Sequence, residues 1–183
     1  MKSGFATAVL LAGPIASPSV LACERVELCD PKLAATRQPF HAGMGEAQRD
    51  ADAIARLSTI IQRCARQSIS ELLSDRRLRG RRLRGACLVV GSVIDPATVA
   101  NPHIRAHASE GRLFRMVLAD ALQDNGVDCA VVVEKQLLAH AVRKLGRSEA
   151  DVMRTVASLG RGISGRWRAE EKAAAIAAWV ALV

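Results

Sequence analysis

The sequence predicts an α/β fold in which a mixed sheet is flanked by helices, with residues 1–183 forming one domain. Three observations predict it. Half of the 183 residues are hydrophobic, enough to bury a substantial core and too many for a disordered chain. Apolar residues recur at three- and four-residue steps in several segments, and short Val-rich runs separate them. The resulting order is two strands, helix, strand, helix, strand and three helices. That order implies a hairpin at the start and parallel β-α-β crossovers later.

Each element follows from local chemistry. Phe5–Leu11 and Ser19–Leu28 read as strands around the Gly13-Pro14 turn, the second ending before Asp30-Pro31. Residues 31–45 hold two prolines and two glycines with little periodicity and read as a loop. From Glu46 to Leu73, Ile54, Leu57, Ile61, Ala65, Ile69 and Leu72 make one apolar helical stripe. Ala86–Ile94 is a short apolar run of the kind buried on both sheet faces, ended by Asp95-Pro96. His103 to Asn125 reads as a helix with Phe114, Val117, Leu118, Ala121 and Leu122 inside, capped by Gly126. Cys129–Val133 is the next buried strand, and Lys135–Leu145 a helix ended by Gly146. Ser148 and Asp151 form a capping-box pattern for a helix through Leu159. Ala169–Leu182 is the last helix.

Charge is concentrated. The net charge is +8, and six arginines (Arg76, Arg77, Arg79, Arg81, Arg82 and Arg84) fall in one basic loop, residues 74–85. Such a cluster attracts phosphates through Coulomb attraction and counterion release without reading bases; it is equally a solvated turn, with Leu78 and Leu83 anchoring it. Aromatic residues are 3% of the chain, with no Tyr, which argues against recognition by base stacking. The expected partner is therefore nucleic acid held by its backbone, with no membrane partner.

Five cysteines, an odd number, show no CxxC spacing. A reduced, cytoplasmic protein is the simpler expectation, with Cys87 and Cys129 as small hydrophobes inside strands. The amino terminus admits an alternative. Met1-Lys2, an apolar stretch from Phe5 to Ala16, and Val20-Leu21-Ala22-Cys23 together loosely resemble a bacterial lipoprotein signal. On that reading, residues 1–30 include an export signal instead of a hairpin.

Three stretches carry a family likeness: Leu88-Val89-Val90-Gly91, Val133-Glu134-Lys135-Gln136-Leu137 with Ala141 and Leu145, and Glu170-Glu171-Lys172 followed by an alanine-rich helix. Together they resemble the ribonuclease H-like superfamily, in particular the RuvC-like nucleases described as Holliday-junction resolvases and ribosomal-RNA maturation enzymes. The resemblance implies a ribonuclease H-like mixed sheet. The family's first strand, bearing Asp-x-Gly, has no counterpart here, so it is missing or Phe5–Leu11 takes its place. The resemblance also implies that Glu134 and Glu171 hold Mg²⁺ or Mn²⁺, with Asp95, at the end of a strand, as a third catalytic carboxylate. Hard cations take oxygen ligands and can activate water beside a scissile phosphate. The expected function is a divalent-metal-dependent nuclease acting on structured RNA or branched DNA; the alternative is a non-catalytic nucleic-acid or protein interaction domain.

Other residues compete with that assignment. His103, His107 and Glu110 lie at i, i+4 and i+7, so on a helix they share one face and match a transition-metal site. Locally hydrogen-bonded histidines at a helix start give the same spacing. Asp95 before Pro96 is also ordinary turn chemistry. Arg161, Arg166 and Arg168 flank a glycine-containing loop before the last helix, Ser164 has no partner base, and Trp167 and Trp179 read as packing anchors.

Overall fold

The computed structural model describes residues 4–43, 46–163 and 165–183, apart from the side chain of Arg77. The Met1-Lys2 start of the signal reading and Ser164 lie outside the described residues. The fold is α/β. The described strands are β1 (Phe5–Ala12), β2 (Ser19–Glu27), β3 (His41–Gly43), β4 (Glu46–Ala47), β5 (Ala86–Val90) and β6 (Cys129–Val133). The helices are α1 (Ala51–Leu73), α2 (Pro102–Asp124), α3 (Glu134–Leu145), α4 (Glu149–Leu159) and α5 (Ala169–Val180). Instead of one mixed sheet, the described strands form three two-stranded sheets, β1-β2, β3-β4 and β5-β6. The chain divides into two compact units.

The first unit comprises Met1–Ala6, Val26–Ser74 and Ser92–Gly126. Its centre is the pairing of α1 with α2. The α1 stripe buries Ile61, Ala65 and Ile69, and α2 buries Phe114, Val117, Leu118, Ala121 and Leu122, as helical periodicity requires. The loop expected over 31–45 holds a 3₁₀ turn at Ala34–Arg37 and strand β3. Helix α1 begins at Ala51, not at Glu46. The Gln48 side-chain oxygen accepts from the backbone N–H of Arg49 and Asp50, and Asp50 then caps the helix by accepting from Ala53 N at 3.0 Å. Those bonds stop the helix and leave Glu46–Ala47 to pair as β4 with β3. Thr36, fully buried, ties the preceding turn together: its hydroxyl donates to Leu33 O at 2.6 Å and accepts from Asp30 N at 3.1 Å.

The second unit comprises Thr7–Arg25, Asp75–Gly91 and Val127–Val183. Strands β5 and β6 run parallel, in register from Ala86 opposite Cys129 to Val90 opposite Val133. The run expected to Ile94 stops at Val90 because its partner ends where α3 begins, and Val93 and Ile94 are exposed. Nor are the two strands buried on both faces. Only Val90 and Val132 are buried, and Val131 is exposed, since a two-stranded sheet lacks the neighbours that would cover it. The core is instead helical: Leu137, Ala141, Val152, Val156, Ala175, Ile176, Ala177 and Trp179 close around Val132 and Val9. Helix ends follow their local signals, with Ser148 Oγ accepting from Asp151 N at 3.1 Å and Gly146 in the left-handed region at φ 61°.

Gly160 has a packing role. The Trp167 indole lies directly over its Cα, so that a Cβ there would collide with the ring, while Trp167 Nε1 donates to Val156 O at 2.9 Å. Gly160→Ala is expected to cost about 1–3 kcal/mol, the usual penalty for overpacking, measured as a shift of the urea midpoint. An unchanged midpoint would show that Trp167 swings away freely.

Candidate metal centre

The most developed polar cluster among the described residues lies in the first unit, on the inward stripe of α2. That stripe continues toward the helix start as Glu110, His107 and His103, at the same three- and four-residue steps that bury Phe114 and Val117. The start itself is fixed in several ways. Asn101 caps it by accepting from Ile104 N at 3.1 Å, and Pro102 occupies the first helical turn. Arg105 reaches back to donate to Val99 O at 2.8 Å and Ala100 O at 3.0 Å.

The third imidazole comes from far away in sequence. His41 opens β3, which pairs with β4, and β4 packs on α2. His41, His103 and His107 each offer a ligand atom within 4.8 Å of the others. Their rings meet edge-on or tilted, with centroids 4.6–5.3 Å apart. Among the described residues this is the one group of three or more His, Cys, Asp or Glu side chains placed to hold a metal.

Burial distinguishes the members. The His41 side chain is 5% exposed and that of Glu110 3%, whereas His103 and His107 are exposed. His41 Nδ1 lies 2.7 Å from Glu110 Oε1. Its other ring nitrogen, Nε2, is buried with no hydrogen-bond partner, as is Glu110 Oε2. A buried polar atom without a partner costs about 1–3 kcal/mol, and this one lies beside two further imidazoles. His103 Nε2 and His107 Nε2 are 3.3 Å apart. Two nitrogens on a tetrahedral zinc ion with bonds of about 2.0–2.1 Å are separated by about 3.3 Å, so this spacing suits coordination.

The carboxylates singled out in the sequence are dispersed. Asp95 belongs to the first unit, where it accepts from Ala97 N at 3.1 Å and caps a 3₁₀ turn at Pro96–Thr98. It also sits 3.7 Å from Arg112 in an exposed ion pair. Glu134 and Glu171 belong to the second unit. Glu134 is the exposed first residue of α3, immediately after β6. Glu171 accepts from Arg168 N at 2.7 Å and so satisfies the backbone N–H of the residue that precedes α5. Its charge, after burial, helps raise the thiol pKa of Cys23.

In the basic loop, Arg76, Arg79, Arg81, Arg82 and Arg84 are exposed, and Arg77 is placed only in its backbone. Leu78 is buried and Leu83 half-buried, so both leucines anchor the loop. Arg84 donates to Leu182 O at 2.8 Å. All five cysteines are free thiols. Burial raises Cys29 and Cys129 to about 11, which leaves little thiolate for nucleophilic chemistry.

No helix among the described residues is long and apolar enough to cross a membrane. Comparison with protein-family models, with curated proteins and with solved structures finds no match for this chain.

Proposed function

We propose that this chain binds a divalent transition-metal ion through His41, His103 and His107 and uses it to activate water, with phosphodiester bonds of nucleic acid as the substrate. The observation that carries the reading is His41 Nε2, buried without a partner beside two other imidazoles. Three nitrogen donors favour zinc-class ions over Mg²⁺ or Mn²⁺, which take oxygen. A zinc-class ion held by these three imidazoles would supply Lewis-acid activation of water. The exposed arginines of residues 76–84 support the choice of a polyanion as substrate. Five free thiols fit a reducing, cytoplasmic setting.

A second reading places Mg²⁺ or Mn²⁺ nuclease chemistry at Glu134 and Glu171. It is favoured by Glu134, which stands at the carboxyl end of a parallel strand pair, where open α/β sheets bind ligands. One experiment separates the two. Structured RNA and branched DNA are incubated with wild type, His103→Ala/His107→Ala and Glu134→Ala, each with Zn²⁺ and with Mn²⁺, and zinc binding is followed by calorimetry. The first reading expects one-to-one zinc binding and cleavage, both lost in the histidine double variant. Cleavage that needs Mn²⁺ and disappears only in Glu134→Ala supports the second. Zinc binding without cleavage leaves a metal-holding interaction domain, and absence of zinc binding overturns the histidine centre.

A further inference from the structure

Glu110 faces two of the three candidate ligands at once. Oε1 lies 2.7 Å from His41 Nδ1, and Oε2, buried and without a hydrogen bond, lies 3.6 Å from His107 Nδ1. A carboxylate oxygen accepts, so an imidazole turned toward it presents Nδ1–H, and in the neutral ring the lone pair is then on Nε2. We propose that Glu110 is a shared positioning residue, one carboxylate that fixes the Nε2-donor form of both His41 and His107 for a zinc-class cation. The inference rests on the metal-binding reading above and adds to it which residue makes the imidazoles competent ligands.

The two contacts are unequal, and the inequality has a physical reason. His41 is locked, with its side chain 5% exposed and its contact to Glu110 at full hydrogen-bond length. His107 is half exposed, so its ring is less confined than that of His41 and meets Glu110 Oε2 only at 3.6 Å. His103 has no carboxylate contact of this kind among the described residues, and its Nε2 faces only His107 Nε2. A bond from a ligating imidazole to a carboxylate raises its basicity and fixes its orientation, and losing such a partner typically weakens metal binding about 10–100-fold.

Glu110→Gln tests this without changing volume. An amide has one accepting oxygen and one donating nitrogen. If the oxygen keeps His41, the NH₂ group faces His107 Nδ1 and forces its proton onto Nε2, where the metal should bind. Two measurements decide the matter: Co²⁺ titration followed by its visible absorption, and ¹⁵N-detected imidazole tautomers in the metal-free protein. The expected result is Nδ1-protonated His41 and His107 in wild type, His107 switched to Nε2–H in Glu110→Gln, and Co²⁺ binding weakened about 10–100-fold. Unchanged tautomers with unchanged Co²⁺ affinity would overturn the role of Glu110. If wild type binds no Co²⁺, the metal reading fails, and the wild-type tautomers still decide: Nε2–H on His41 or His107 overturns the positioning role. Should Glu110→Gln fail to fold, the wild-type tautomers decide in the same way.

Discussion

His41→Leu is expected to lower stability by about 3–5 kcal/mol, the typical cost of leaving a buried charged group without its partner. The pair it breaks is among the least exposed polar contacts in the first unit, with side chains 5% and 3% exposed and 2.7 Å between Nδ1 and Oε1. Without His41, Glu110 keeps neither a hydrogen bond on Oε1 nor one on Oε2. The leucine adds apolar contact but offers no donor, so the carboxylate must stay desolvated or pull water inward. The double variant His41→Leu/Glu110→Leu removes both polar groups, and replacing a buried pair by hydrophobic side chains is commonly neutral or stabilising. Its stability is therefore expected to return close to wild type, while zinc binding stays lost. Urea unfolding of the three proteins in chelator checks this. A double variant as unstable as the single would show that the loss comes from packing and not from the stranded carboxylate.

The second large effect is expected at Trp179. It is fully buried in the second unit's core, its Nε1 donates to Ile15 O at 2.9 Å, and the Arg147 guanidinium lies 5.3 Å from its ring centre. Arg147 in turn donates to Ala16 O at 3.2 Å. Trp179→Ala thus opens a cavity and removes the donor that Ile15 O relies on, and it should cost about 3–5 kcal/mol. Trp167 belongs to the same unit and remains as a fluorescent reporter. Its emission should shift at a lower urea concentration in the variant. A midpoint within error of wild type would mean that neighbouring side chains collapse into the space.

The sequence and the structure agree where the signal is periodic and local. The stripes of α1 and α2, the Gly146 end of α3 and the Ser148 cap of α4 depend on residues within two turns of one another, and all appear near their expected positions. Strand burial was less legible, because an apolar run such as Cys129–Val133 does not say how many strands will cover it. The candidate site divides in the same way. His103, His107 and Glu110 share a helix face through their spacing alone. His41 stands 69 positions from its partner Glu110, in a stretch whose prolines and glycines read as loop, and no local pattern marks it. Asp95 shows the converse: its place before Pro96 was legible as a turn, and a cap is what it forms.

The way the chain is shared between the two units has a consequence for synthesis on the ribosome. Every segment of the first unit precedes residue 127, whereas the second needs residues up to Val183. The histidine cluster and its glutamate have therefore all been polymerised while Trp179 and the rest of α5 are still untranslated. During that interval Val9 and the β5 strand wait without the core that later encloses them. Their apolar side chains are then exposed to chaperones and to neighbouring nascent chains, and a pause late in translation prolongs that exposure.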